Sequence, residues 1–227
     1  MLDLNCDLGE LPDLAHESAL LDHITSANIA CGGHAGDAAT MERTARLALA
    51  RHVRIGAHPG YPDRANFGRL EIPMPPAEIE SFVLAQILRL ESVVRPLGAE
   101  ISHVKPHGAL YNMAARDPET ARAIALAVLR WNPRATLYGL AASPALAIWR
   151  QMGLPVAAEA FADRRYEPDG SLRSRAFPDA LITDPEQAAA QALRFARQGR
   201  AQTICVHGDT PGAVAILIAC RASLAAC

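Results

Sequence analysis

Half of the 227 residues are apolar and the formal net charge is −2, enough non-polar material for one substantial core and no electrostatic footprint for nucleic acid or an anionic membrane. No run of like charges occurs, and no apolar stretch reaches the ~18 residues that span a bilayer, so small-molecule chemistry in a single domain over residues 1–227 is the expectation. Acids at Asp3 and Asp7 stand where a secretory leader needs basic residues, which predicts a cytoplasmic protein.

In chain order, short apolar or β-branched runs at residues 2–6, 25–31, 53–57, 101–104, 135–140, 155–160, 180–182 and 202–206 predict seven or eight strands. Helical periodicity lies between them. It is clearest over 77–97, where Ile79, Phe82, Val83, Ile87, Leu90 and Val94 recur at steps of three and four between Pro75-Pro76 and Gly98. Further helices are predicted over 38–52 after Asp37, 118–130 after Asp117, 144–152 after Ser143, 185–197 after Asp184 and 211–224 after Thr210. The last four repeat a capping residue followed by proline. Such alternation predicts an α/β protein with parallel strands, either a barrel or an open doubly wound sheet.

Cys6, Cys31, Cys205, Cys220 and Cys227 form an odd set without a C-x-x-C pair, which predicts free thiols, the first three as small buried residues at the ends of apolar runs. The 22 basic residues divide into 21 arginines and one lysine, Lys105. A chain that uses arginine elsewhere retains an ammonium here for a task a planar guanidinium does not fulfil.

Ligands in parallel α/β folds bind where strands end, so the residues after each run carry the functional reading. These are Asn5-Cys6-Asp7-Leu8-Gly9-Glu10, Gly32-Gly33-His34-Ala35-Gly36-Asp37, His58-Pro59-Gly60, His103-Val104-Lys105-Pro106-His107-Gly108, Glu159 to Arg164, and His207-Gly208-Asp209. His34, His58, His107 and His207 each lie close to glycine, which permits positive φ and close backbone approach. His16, His23 and His52 lack that setting and read as surface; His103 shares the strand face of Lys105. Asp37 reads as a helix cap, whereas Asp7, Asp163 and Asp209 have weaker structural roles. Histidine with carboxylate can hold zinc, manganese or iron, or act directly as general acid and base. Lys105 can stabilise an oxyanion or phosphate, or titrate low enough to serve as a base; Arg64 and Arg164 can clamp a carboxylate. H-E-x-x-H, both glycine-rich nucleotide motifs and G-x-S-x-G are absent from the sequence.

Six of these strings, Asn5 to Glu10, Ser26 to Gly32 with His34 to Asp37, Ile55 to Pro59, His103 to Asn112, Phe161 to Arg164 and Cys205 to Asp209, resemble the LamB/YcsF family in order and over nearly the whole chain. The resemblance implies a distorted TIM-like (β/α)7 barrel related to the glycoside hydrolase/deacetylase superfamily. It also implies a component A of an ATP-dependent 5-oxoprolinase, which opens the lactam of 5-oxo-L-proline to L-glutamate with subunits B and C. ATP would be the co-substrate, and a divalent metal would enter either as magnesium with ATP or at a site formed by Asp7, His34 and His58. The catalytic candidates are then Asp7, His58, Lys105, His107, His207 and Asp209. The substrate-contact candidates are Asn5, Glu10, Asn28, His34, Arg64, Tyr111, Glu159, Asp163 and Arg164.

The chain departs from the family pattern by a shortened segment between Gly199 and Thr203, a shortened segment after Glu10, an early end at Cys227, and Gly33 where phenylalanine is usual. Subunit docking and lid closure are the properties these changes are expected to touch. Two other readings stand beside the lactamase: a metal-dependent amidase or deacetylase acting alone, and a binding module that has lost catalysis.

Overall fold

In β1 (Asp3–Leu8) the alternation of polar and apolar residues sets the plan of the molecule. Leu4, Cys6 and Leu8 join the buried apolar core, while Asp3, Asn5 and Asp7 stand on the other face and hydrogen-bond across a lumen. The computed structural model describes residues 2–225. Among these, β1, β2 (Ser26–Ala30), β3 (Arg54–His58), β4 (Ile101–Val104), β5 (Thr136–Leu140), β6 (Val156–Phe161) and β7 (Thr203–His207) pair in parallel and in sequence order. β7 returns to β1, so the sheet is a closed barrel rather than an open one. Asp7 registers with Asn28 on one side and His207 on the other, which fixes these residues at one level of the lumen.

Helices α1 (Leu14–Leu21), α2 (Ala38–Leu49), α3 (Pro76–Val94), α4 (Gly108–Arg116), α5 (Pro118–Trp131), α6 (Pro144–Gln151), α7 (Pro185–Arg197) and α8 (Ala213–Ala225) accompany the strands. The core lies between helices and sheet: outward residues Ile29, Ile55, Ala57, Val104, Leu137, Ile204 and Val206 are all buried in one apolar cluster. The lumen is lined by polar groups that hydrogen-bond across it. At its floor Asp3 accepts hydrogen bonds from Thr25, Ser26, Arg54, Tyr138 and Thr203. Gly56 leaves space for the His103 imidazole, which would collide with any side chain there.

Asp37, Asp117 and Asp184 cap α2, α5 and α7 by accepting from the main-chain N–H three residues on, as the sequence predicts. Ser143 makes no such bond, and the Thr210 hydroxyl donates to Asp163 instead while α8 starts later, at Ala213. The predicted strand at 180–182 is a loop segment, because Leu181 bridges only Arg164 within the long β6–α7 connection. Helix α4 escapes prediction since no side chain caps it and Gly108 enters it with φ 52°. The shortened segment at Gly199–Thr203 joins α7 to β7, at the barrel end opposite the strand C-termini, and Gln202 secures it with two bonds to Ala158. The segment therefore lies away from the strand C-termini that carry the candidate site. Cys6, Cys31, Cys205 and Cys220 are free, buried thiols; Cys227 lies outside the described residues. No helix of the described residues is long and apolar enough to cross a membrane.

Candidate active site

The inward residues of the strands form a single buried network that rises from the middle of the lumen to the strand C-termini. Asn5 donates to Glu159 at 2.9 Å and to Thr203, and Asn28 donates to Asn5 at 2.7 Å and to Asp7 at 2.8 Å. His103 donates from Nε2 to Asn28 at 2.8 Å and stacks on Tyr138, with its pKa pushed down to about 3 by burial. It is a neutral strut of the barrel.

Lys105 sits at the centre. Its Nζ lies 2.8 Å from Asp7 Oδ1, 3.0 Å from Glu159 Oε1 and 3.1 Å from Cys205 Sγ, and 5.2 Å from the centroid of the Phe161 ring. Burial alone would lower its pKa, but Asp7, Cys205 and Glu159 outweigh that and hold it well above the ordinary lysine value. Of the two roles open from sequence, this environment favours the fixed ammonium over the neutral base. The Asp7 carboxyl is held well below the usual range, because His58 and Lys105 offset its burial.

Beside it, Glu10, His34, His58 and His107 converge. His34 Nε2 lies 2.8 Å from Glu10 Oε1, and His107 Nδ1 lies 3.0 Å from His58 Nε2 and 3.2 Å from Glu10 Oε1. His34 stacks on His107 with ring centroids 3.6 Å apart. Burial pushes the His34 pKa down to about 4 and lowers that of His107, whereas Asp7 and Glu10 overcome the burial of His58 and raise it. Gly60 permits this packing, since a Cβ there would lie 2.6 Å from His34 Nδ1. Gly33 has a similar cause: Gln86, clamped on the Gly60 backbone, fills the space where a phenylalanine would begin.

Across the lumen, the buried Asp163 carboxylate accepts from the His207 N–H at 3.0 Å, from His207 Nδ1 at 3.1 Å and from the Thr210 hydroxyl at 2.5 Å. The acid fixes the imidazole so that Nε2 is left to act as a base. These bonds and the charge of His207 hold Asp163 below the usual carboxyl range in spite of its burial.

Not every predicted residue joins the network. Asp209 is neutralised by Arg69 at 2.5 Å and Arg175 at 2.8 Å, so it latches two loops at the rim instead of serving as a base. Arg64 is exposed and donates to the carbonyls of Gly32 and Gly36. Arg164 is tied to the Arg173 carbonyl, leaving its Nε without a partner, and burial lowers its pKa to about 10. Tyr111 is buried, its phenol raised well above the ordinary value by burial and by Glu159. Cys205, Arg69 and Arg175 are site residues that the sequence reading did not single out. Cys205 was findable, because Thr203, Cys205 and His207 alternate onto one strand face. His16 is half-buried, not free surface, and its Nε2 lies 2.8 Å from the Gly208 carbonyl.

Two groups of side chains among the described residues bring donor atoms within 4.8 Å of one another: Glu10 with His34, His58 and His107, and Asp7 with Cys205 and His207. The triad expected for a metal, Asp7 with His34 and His58, is split between them. His34 turns to Glu10, while Asp7 turns to Lys105.

The model of the LamB/YcsF family matches residues 2–227. The chain belongs to the LamB/YcsF family. This LamB/YcsF chain is 51% identical to the 5-oxoprolinase A subunit of Chloroflexus aggregans over 240 residues, covering 99% of this chain and 95% of that protein. Its structure matches the lactam utilization protein from Thermus thermophilus with a TM-score of 0.91 at 41% identity, over 99% of this chain and 96% of the other. A family 4 carbohydrate esterase from Streptomyces lividans matches with a TM-score of 0.53 at 13% identity, over 99% and 88% of the two chains, a likeness of fold alone.

Proposed function

We propose that this chain is the lactam-opening component of an ATP-dependent 5-oxoprolinase, converting 5-oxo-L-proline, ATP and two waters to L-glutamate, ADP and phosphate with partner subunits B and C. The observation that carries it is a relative of that name, identical at half of the aligned positions over almost the full length of both chains.

The lumen offers the chemistry such a reaction needs. A five-membered lactam is a stable amide, and phosphorylation of its carbonyl oxygen turns that oxygen into a leaving group. Lys105, a permanent ammonium, faces charge developing on the activated oxygen. His207, oriented by Asp163, takes a proton from the first attacking water through Nε2 and returns it to the departing ring nitrogen, which leaves a γ-glutamyl phosphate; the second water attacks that acyl carbon and releases phosphate with the former lactam oxygen. The site sets two carboxylates, Asp7 and Glu159, on one lysine, with a third, Glu10, among the neighbouring histidines, a poor host for a triphosphate. That charge supports assigning ATP, its magnesium and the phosphoryl transfer to the partner subunits. A site metal fits Glu10, His58 and His107, where it would supply further positive charge against the substrate oxygen.

The test is reconstitution. Purified chain, subunits B and C, ATP and 5-oxoproline should release glutamate, with release abolished when this chain is omitted and reduced at least ~100-fold by His207→Ala. No turnover with a partner set that is active with a related first component would overturn the reading. A stand-alone amidase is the second reading, favoured by the histidine–glutamate convergence, and it requires hydrolysis without ATP or partners.

A further inference from the structure

Hydrogen bonding places one proton on each of two buried histidines and turns their other ring nitrogens toward each other. A main-chain carbonyl can only accept, so His58 Nδ1, 2.7 Å from the Lys105 oxygen, carries a hydrogen, and so does His107 Nε2, 2.8 Å from the Phe67 oxygen. The other two ring nitrogens, His58 Nε2 and His107 Nδ1, are 3.0 Å apart, and Asp7 Oδ2 lies 3.4 Å from His58 Nε2. Glu10 Oε1, also an acceptor, lies 3.2 Å from His107 Nδ1 and 3.6 Å from His58 Nε2. Three potential metal-ligand atoms converge at one point, an arrangement that a metal cation satisfies.

We propose that Glu10, His58 and His107 bind one divalent transition-metal ion of the zinc type. Ligands 2.0–2.1 Å from a tetrahedral zinc stand ~3.3 Å apart, and the three observed separations, 3.0, 3.2 and 3.6 Å, bracket that value. Both imidazoles donate their second N–H to a carbonyl, as metal-bound histidines do, and His34 Nε2 donates to Glu10 to fix the carboxylate. His34 itself is not a ligand: its ring lies 3° from parallel to His107 at 3.6 Å, so an ion in the plane of one ring is out of the plane of the other. Two histidines and a glutamate leave a coordination position open, the pattern of catalytic rather than structural zinc. The ion would also offset the excess of Asp7, Glu10 and Glu159 over Lys105.

The inference concerns the same site as the lactam reading, but its test needs no substrate, so the two fail separately. Chelator-treated protein is titrated with cobalt(II), reading the visible ligand-field absorption of a low-coordinate site, and then with zinc(II) as competitor. One equivalent should saturate the band and zinc should abolish it. The isosteric Glu10→Gln and His107→Ala should each weaken binding at least ~10-fold, whereas His52→Ala on the surface should not. A folded wild-type chain that shows no cobalt band, or a band unchanged in both site variants, overturns the assignment. So does nitrogen-15 NMR showing one proton held between His58 and His107 in zinc-saturated protein.

Discussion

Lys105 is 2% exposed, yet its carboxylate partners keep it charged, so its removal has two separable consequences. Lys105→Met leaves Asp7 and Glu159 buried without their cation and should lower unfolding free energy by ~3–5 kcal/mol in urea titration. Activity should fall at least ~100-fold, and Lys105→Arg should not restore it, since a planar guanidinium does not fit the space of an ammonium held between two carboxylates and a thiol. Asp163 gives a pH dependence. Its folded-state pKa lies below the ordinary aspartate value, so its contribution to stability is complete above about pH 4 and is lost as pH falls through the lower folded value. Asp163→Asn should be less stable at pH 7 and should lose less stability between pH 5 and 2 than the wild type does. An equal or steeper acid slope in the variant would contradict this. At this scale the sequence revealed which residues are special and not what they touch. His207 and Asp209 share one strand-end string, but the base is oriented by Asp163, 44 residues away, and the acid is neutralised by Arg69, 140 residues away.

The strands were legible because each carries a short apolar or β-branched run, and several helices because a capping residue or proline marks their starts. Asp117→Ala, removing the cap of α5, should cost ~1 kcal/mol in thermal or chemical unfolding and leave the site unaffected. The 180–182 segment misled because an Ala-Leu-Ile run is equally compatible with a buried loop docked against residues 163–165, just beyond β6. Loops carry what was least legible. Arg69 and Arg175 come from the connections after β3 and β6 and meet on Asp209 of the β7 end, which ties two mouth loops to the barrel. Arg175→Ala should speed amide hydrogen exchange across residues 162–184 several-fold while the strands remain protected. Unchanged exchange there would show that the latch contributes nothing to loop order.

The whole barrel brings Asp7, Lys105, Glu159 and His207 within reach only because β7 closes on β1, a pairing between chain ends that no local pattern encodes. Before closure, barrel and open sheet are equally consistent with the alternation. The family strings, not the periodicity, favoured closure and supplied a substrate. Once closed, the inverted arrangement of apolar shell and polar lumen puts the reactive groups in a water-poor setting. There an activated lactam meets a fixed ammonium and an oriented imidazole. The most direct measurement of this account follows the carbonyl oxygen. With 5-oxoproline labelled with oxygen-18 at the lactam carbonyl, the reconstituted enzyme should transfer the label to inorganic phosphate, with glutamate and phosphate formed in equal amounts. Label retained wholly in glutamate, with none in phosphate, would contradict opening of a phosphorylated lactam by water attack at carbon.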